Sequence, residues 1–173
     1  QHQIAIFKAM ESPDFYPHAV STIEQRDTHI SKVFLTGNFA YKIKKPINLE
    51  FLDFTTLDKR RHFCRQEIDL NRRLAPDVYL DVVPITFQND RYHMAEAGSI
   101  VEYAVKMRQL PETSSMLQLV RRRKLEKGPI DALACVLAKF YTRASTSESI
   151  NTVGSLETLR INCEENLPHA CIH

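Results

Sequence analysis

The 173 residues include 23 Lys or Arg against 21 Asp or Glu, a net charge of +2, with 43% hydrophobic and 25% charged side chains. This is the balance of a globular domain; it excludes wholesale disorder and announces no strong polyanion such as nucleic acid. A chain of this size buries about 70% of its unfolded surface, and no apolar run nears the ~18 residues that a membrane span needs.

The N-terminal Gln1-His2-Gln3-Ile4-Ala5-Ile6-Phe7 has neither the charged start nor the long apolar core of a secretory leader. Cys64, Cys135, Cys163 and Cys171 show no paired metal spacing. Cys64 and Cys135 fall in helix-like stretches, where free thiols act as small hydrophobes. The expectation is a reducing, cytoplasmic setting. A start without Met and an end at Ala170-Cys171-Ile172-His173 read as those of an excerpt from a longer chain.

Val33-Phe34-Leu35 and Phe39-Ala40-Tyr41-Lys42-Ile43-Lys44 read as two strands joined by Thr36-Gly37-Asn38, a turn able to take positive φ. Pro46 closes the second strand. Leu49 to Phe54 is an apolar connector that packs on the sheet. Thr56 is the expected N-cap of a helix from Leu57 to Leu74, ended by Pro76. Val82 to Phe87 is a third strand, with Pro84 arguing for an edge or irregular position, and Gln88-Asn89-Asp90 is a turn. Tyr92-His93-Met94 and Ile100 to Met107 complete an antiparallel sheet of five strands. Helices follow over Thr113–Lys124, Ile130–Ala144 and Ser155–Leu167. The middle one carries Ile130, Leu133, Ala134, Leu137 and Tyr141 on one face. Strands first and helices after predict an α+β fold: residues 1–110 as one lobe, 111–173 as a helical subdomain, with the change between Arg108 and Glu112.

Glu67 stands out. Phe63, Leu70 and Leu74 form an apolar stripe on the 57–74 helix, and Glu67 lies in the same stripe. A carboxylate there is costly unless a cation meets it. Strand alternation supplies one: Phe39, Tyr41 and Ile43 share one face, and Ala40, Lys42 and Lys44 share the other. Two lysines on a strand face ordinarily make a solvated face. With a small residue two before Lys42 and a helical glutamate downstream, they match instead the Lys–Glu pair that holds ATP phosphates in kinase-like folds. Glu67 is therefore expected within ion-pair reach of Lys42 or Lys44.

Phe39-Ala40-Tyr41-Lys42 resembles the kinase Val-Ala-Ile-Lys strand. Thr28 to Leu35, Ala40 to Pro46, Phe51 to Phe54, Arg60 to Cys64, Glu67 to Pro76 and Glu102 to Met107 resemble a bacterial branch of the aminoglycoside phosphotransferase family, often fused to a P-loop ATP-binding domain. The resemblance runs from Val20 to Ala144. It implies a protein-kinase-like N-terminal lobe, an antiparallel sheet with one crossing helix, followed by the first helices of a second lobe. It further implies ATP as the nucleotide, Lys42 on the α/β-phosphates, Glu67 fixing Lys42 and Ala40 against adenine. The Val101–Leu110 segment would line the hinge. Lys44 rivals Lys42 for the phosphate, since both lie on one strand face.

The chain also departs from that family. Its four glycines, Gly37, Gly98, Gly128 and Gly154, precede Asn, Ser, Pro and Ser, so the His-Gly-Asp catalytic loop is absent. No Gly-x-Gly-x-x-Gly precedes the strand lysine, and Asp53-Phe54 is followed by Thr55 rather than Gly. Without a base or metal ligands, phosphoryl transfer has nothing to orient the hydroxyl or neutralise the phosphates. Mg belongs to the complete enzyme only, where a small-molecule hydroxyl compound is the expected substrate. The reading is the ATP-binding portion of a kinase-like small-molecule phosphotransferase, not catalytically complete in this chain. The alternative is a non-catalytic interaction or regulatory module on a degraded kinase-like scaffold. Arg121-Arg122-Arg123-Lys124 and Lys59-Arg60-Arg61 read as solvated helix faces, with no nucleic acid expected. The seven histidines show no metal-ligand spacing.

Overall fold

Strand β3 (Phe39–Lys44) is covered on both faces, and that fact organises the first half of the chain. The computed structural model describes residues 2–49, 52–95 and 97–170. Around β3 lie α1 (His2–Ala9), β1 (Glu24–Asp27), β2 (Ser31–Leu35), α2 (Leu57–Arg72), β4 (Tyr79–Gln88), β5 (Arg91–His93), β6 (Ser99–Arg108) and α3 (Met116–Arg121). The strands form one antiparallel sheet in the order β1-β2-β3-β6-β4-β5. The fold is α+β. It has six strands rather than five, because β1 reads as wholly polar (Glu-Gln-Arg-Asp, all exposed) and carries no alternation to betray it.

Alternation on β3 divides the core. Tyr41 and Ile43 join Phe34, Ile85 and Ala104 under a cover of Ile6 from α1 and Met10, Phe15 and Tyr16 after it. The opposite face meets α2, where Cys64 and Ile68 pack on Tyr103 and Val105 with Tyr79 and Val82 alongside. Tyr79 and Val82 reach one face despite odd spacing because the β4–β6 register shifts between Tyr79 and Asp81. Asn89 and Asp90 both adopt left-handed φ, 51° and 59°, the geometry of a two-residue hairpin between β4 and β5. Pro84 pairs with Tyr103 of β6, while β5 pairs only with residues 86–88, so Pro84 interrupts no ladder on its other side.

Thr56 caps α2, its Oγ1 accepting from the Lys59 amide at 3.3 Å. The apolar stripe expected along α2 is corrected. Leu70 and Leu74 are exposed; the inward residues are Arg60, Cys64 and Ile68. Arg60 therefore does not belong to a solvated basic face.

Two compact units divide between Glu126 and Lys127. The division comes later than the change of periodicity near residue 110, because the segment after β6 is tied back to the sheet. The Gln109 amide donates to the Asn38 carbonyl at 3.0 Å, Gln109 Oε1 accepts from the Gly37 amide at 2.9 Å, and Glu112 pairs with Arg26 at 3.6 Å. The second unit holds α4 (Lys127–Arg143), α5 (Glu148–Val153) and α6 (Leu156–Ala170). The predicted apolar face of α4 is present in sequence, yet none of its residues is buried, and Cys135, off that face on the same helix, is exposed rather than packed. Among the described residues no helix is long and apolar enough to cross a membrane.

Candidate functional site

The site is built where α2 crosses β3. Register places Val33 opposite Lys42 and Ser31 opposite Lys44, with Val105 flanking Lys42 on the other side. Lys42 and Lys44 thus project from one face, two residues apart, toward the middle of α2. Glu67 meets both. Lys42 Nζ donates to Glu67 Oε1 at 2.8 Å and Lys44 Nζ donates to Glu67 Oε2 at 2.6 Å. One carboxylate bridging two ammonium groups leaves the triad with one surplus positive charge.

The two lysines are not equivalent. The Lys44 side chain is 5% exposed and that of Lys42 25%. Lys44 Nζ also lies 4.9 Å from the centre of the Phe54 ring, a second favourable partner for a buried cation. Lys44 is therefore consumed by internal partners, while Lys42 keeps a quarter of its side chain exposed. Burial pushes the Glu67 carboxyl up, but the hydrogen bonds and charges of Lys42 and Lys44 prevail and hold it below its ordinary value. The anionic form is the resident one at neutral pH.

Beside the lysines, Leu35, Ala40 and Met107 are register partners across β2, β3 and β6, so they share the lysine face. Ala40 is buried and Leu35 and Met107 are half-buried, forming a small apolar wall one rung from Lys42. Of the Val101–Leu110 segment, the part up to Arg108 is committed to ladders with β3 and β4 or, at the Arg108 amide, to the Val78 carbonyl at 2.8 Å. The Gln109 amide is taken by Asn38. The backbone left to meet a ligand lies after it. Gly37 sits between β2 and β3, whereas the turn before β2, Thr28-His29-Ile30, has no glycine.

A second charged group, not expected from the sequence, lies one rung beyond Lys44. Arg60 Nε donates to both Glu102 carboxylate oxygens at 2.9 Å, with the Glu102 side chain 1% exposed. Arg60 Nη1 donates to the carbonyls of Phe54 at 3.0 Å and Thr55 at 3.3 Å. Glu102 accepts as well from its neighbour Tyr103 N at 3.0 Å and from Gln3 Nε2 at 3.1 Å, and that same amide nitrogen donates to the Lys44 carbonyl at 2.7 Å. A signal existed for both partners. Glu102 interrupts the apolar run Ile100-Val101-Glu102-Tyr103-Ala104-Val105, and Arg60 stands one turn before Cys64 on the buried stripe. Arg61, its neighbour, lies over the Tyr103 ring at 5.4 Å.

Three uncharacterized mycobacterial proteins, one from Mycobacterium bovis and two from strains of Mycobacterium tuberculosis, are each 34% identical to this chain over 146 residues. The match takes in 84% of this chain and 28% of each relative, so the chain spans little more than a quarter of the length of the curated relatives it matches. No protein-family model matches the sequence. No solved structure matches it either.

Proposed function

We propose that the first unit is the nucleotide-holding lobe of a kinase-like small-molecule phosphotransferase, similar to the aminoglycoside phosphotransferases, with ATP as its ligand. The observation that carries the reading is Glu67 bridging Lys42 and Lys44 while Lys42 alone stays partly open. A carboxylate that fixes a strand lysine presents its ammonium as a positioned point charge, which is how phosphates are held where backbone nests are lacking. Lys42 is accordingly the phosphate contact and Lys44 its buried support. Ala40, with Leu35 and Met107, offers the apolar wall for adenine, and the chain after Gln109 offers unpaired backbone for its edge.

The residues fit the nucleotide better than they fit a metal. Among the described residues no group of three His, Cys, Asp or Glu could hold a metal ion, so Mg2+ would meet the phosphates without a protein carboxylate set from this chain. With no His-Gly-Asp loop in the sequence, the reading assigns this chain binding and no turnover. Proton abstraction and metal binding fall to the remainder of a longer protein.

Calorimetric titration with ATP tests the proposal. Half a cleft should bind in the high micromolar to millimolar range, roughly 4–6 kcal/mol. Lys42→Ala should lower affinity more than Lys44→Ala in samples that remain folded. Binding that ignores Lys42→Ala overturns the reading and leaves the non-catalytic interaction module in its place.

A further inference from the structure

We propose that Arg60, Glu102 and Gln3 form a latch that fixes α2 on the sheet and keeps Glu67 seated on its lysines, which makes them positioning residues of this site. For its functional meaning the latch rests on the nucleotide-lobe reading; its mechanical claim does not.

The geometry carries it. Arg60 and Glu67 are seven residues apart, so they lie on one side of α2 at a separation of about 10 Å. Each anchors to the sheet through charge: Glu67 to β3, Arg60 to β6. Two charged anchors on one helix edge remove the rotation that a single anchor permits. Gln3 adds the third point, because one amide group holds both the Glu102 carboxylate and the Lys44 carbonyl. Lys44 is thereby held at both ends, its backbone by α1 and its ammonium by α2. Apolar contacts alone would let α2 slide, since they are non-directional, whereas a carboxylate filled by Arg60, Gln3 and the Tyr103 amide admits one arrangement. At the far end Arg72 donates to the carbonyls of Tyr79, at 2.8 Å, and Leu80, closing the helix onto β4.

Cys64 reports the latch directly. Its thiol is fully buried between α2 and the sheet, one turn from Arg60, and burial pushes it up to about 12. An aromatic disulfide reagent therefore reaches it only when α2 lifts. In the full chain carrying Cys135→Ser, Cys163→Ser and Cys171→Ser, Cys64 should label slowly. Arg60→Met with Glu102→Met removes both charges without leaving one buried alone, and should speed labelling at least about tenfold with little dependence on dilute urea, the sign of local opening. Ile85→Val, which loosens the opposite face of the sheet, should leave the labelling rate near that of the parent. Labelling of the folded double variant at the parental rate overturns the latch. Should that variant not fold, Gln3→Ala decides: labelling about threefold faster supports the latch and the parental rate overturns it. ATP titration of the same parent protein judges the nucleotide reading separately, because no nucleotide enters the labelling assay.

Discussion

Helices α2 and α4 are almost equal in length, 16 and 17 residues, and each has a marked polar and apolar side, yet they are used in opposite ways. The buried side of α2 is Arg60, Cys64 and Ile68 with Glu67 beside them, half of it charged. The apolar side of α4, with Ile130, Leu133 and Leu137, is exposed along its length. Periodicity identifies the face a helix offers; it does not identify what meets that face. For α2 the meeting is decided by charged partners on β3 and β6 that lie far away in sequence. For α4 no described residue buries the offer.

The comparison can be broken most forcefully at Arg60. Arg60→Leu should strand the Glu102 carboxylate in the core and cost about 3–5 kcal/mol, read from urea unfolding at neutral pH. A loss below about 1 kcal/mol would show that water or another cation takes over at Glu102. Next comes a matched pair of apolar deletions. Ile68→Ala on α2 should cost about 2–4 kcal/mol, whereas Leu133→Ala on α4 should fall within about 0.5 kcal/mol of the parent. Similar losses at the two positions would mean that the exposed face of α4 is packed in solution.

Acid sharpens the contrast at Glu67, whose carboxyl is depressed despite its burial because two lysines favour the anion. A depressed carboxyl contributes stability that is fully present above the unfolded value, about 4.3, and is lost as pH falls through the folded one. The stability gap between the parent and Glu67→Gln should therefore be widest at neutral pH and narrow in acid, measured by urea curves at stepped pH. A gap constant down to the acid limb would remove Glu67 from that linkage. The smallest effect belongs to Lys42→Ala. With Lys44 still on Glu67, it should cost no more than about 1 kcal/mol by thermal melt, even where it costs nucleotide affinity.

The legible part of the molecule was that which repeats locally. Strands β2, β3, β4 and β6 announce themselves by alternation or apolar runs, and α2 by its Thr56 cap. Glu67 and the two lysines were legible by a partly mistaken route: the stripe of Phe63, Leu70 and Leu74 that singled out Glu67 is not the buried one, but Glu67 borders Cys64 and Ile68, and the cations do share one strand face. The illegible part lacks that local mark. β1 is polar throughout, and its place comes from pairing with β2 and from polar side-chain contacts such as Arg26 with Glu112. α1 is short, and its inward Ile6, with Met10 just after it, acquires meaning only once Phe34, Tyr41 and Ile43 lie beneath. Leu70 and Leu74 misled because they share a helical repeat with Phe63, yet both are exposed, and Ile68 takes the inward position instead. Arg60 was hidden inside a basic run whose usual place is the solvent.

The reach of Gln3 to Glu102, 99 positions along the chain, has a consequence for how the protein is made. A ribosome adding about 5–20 residues per second needs roughly 5–20 s to travel from one to the other. An isolated helix of eight residues is marginal in water, where about 12–15 are needed. The segment carrying Gln3 is thus made long before its partner, and Ile6, Phe7 and Met10 remain open to chaperones until β6 has emerged from the exit tunnel.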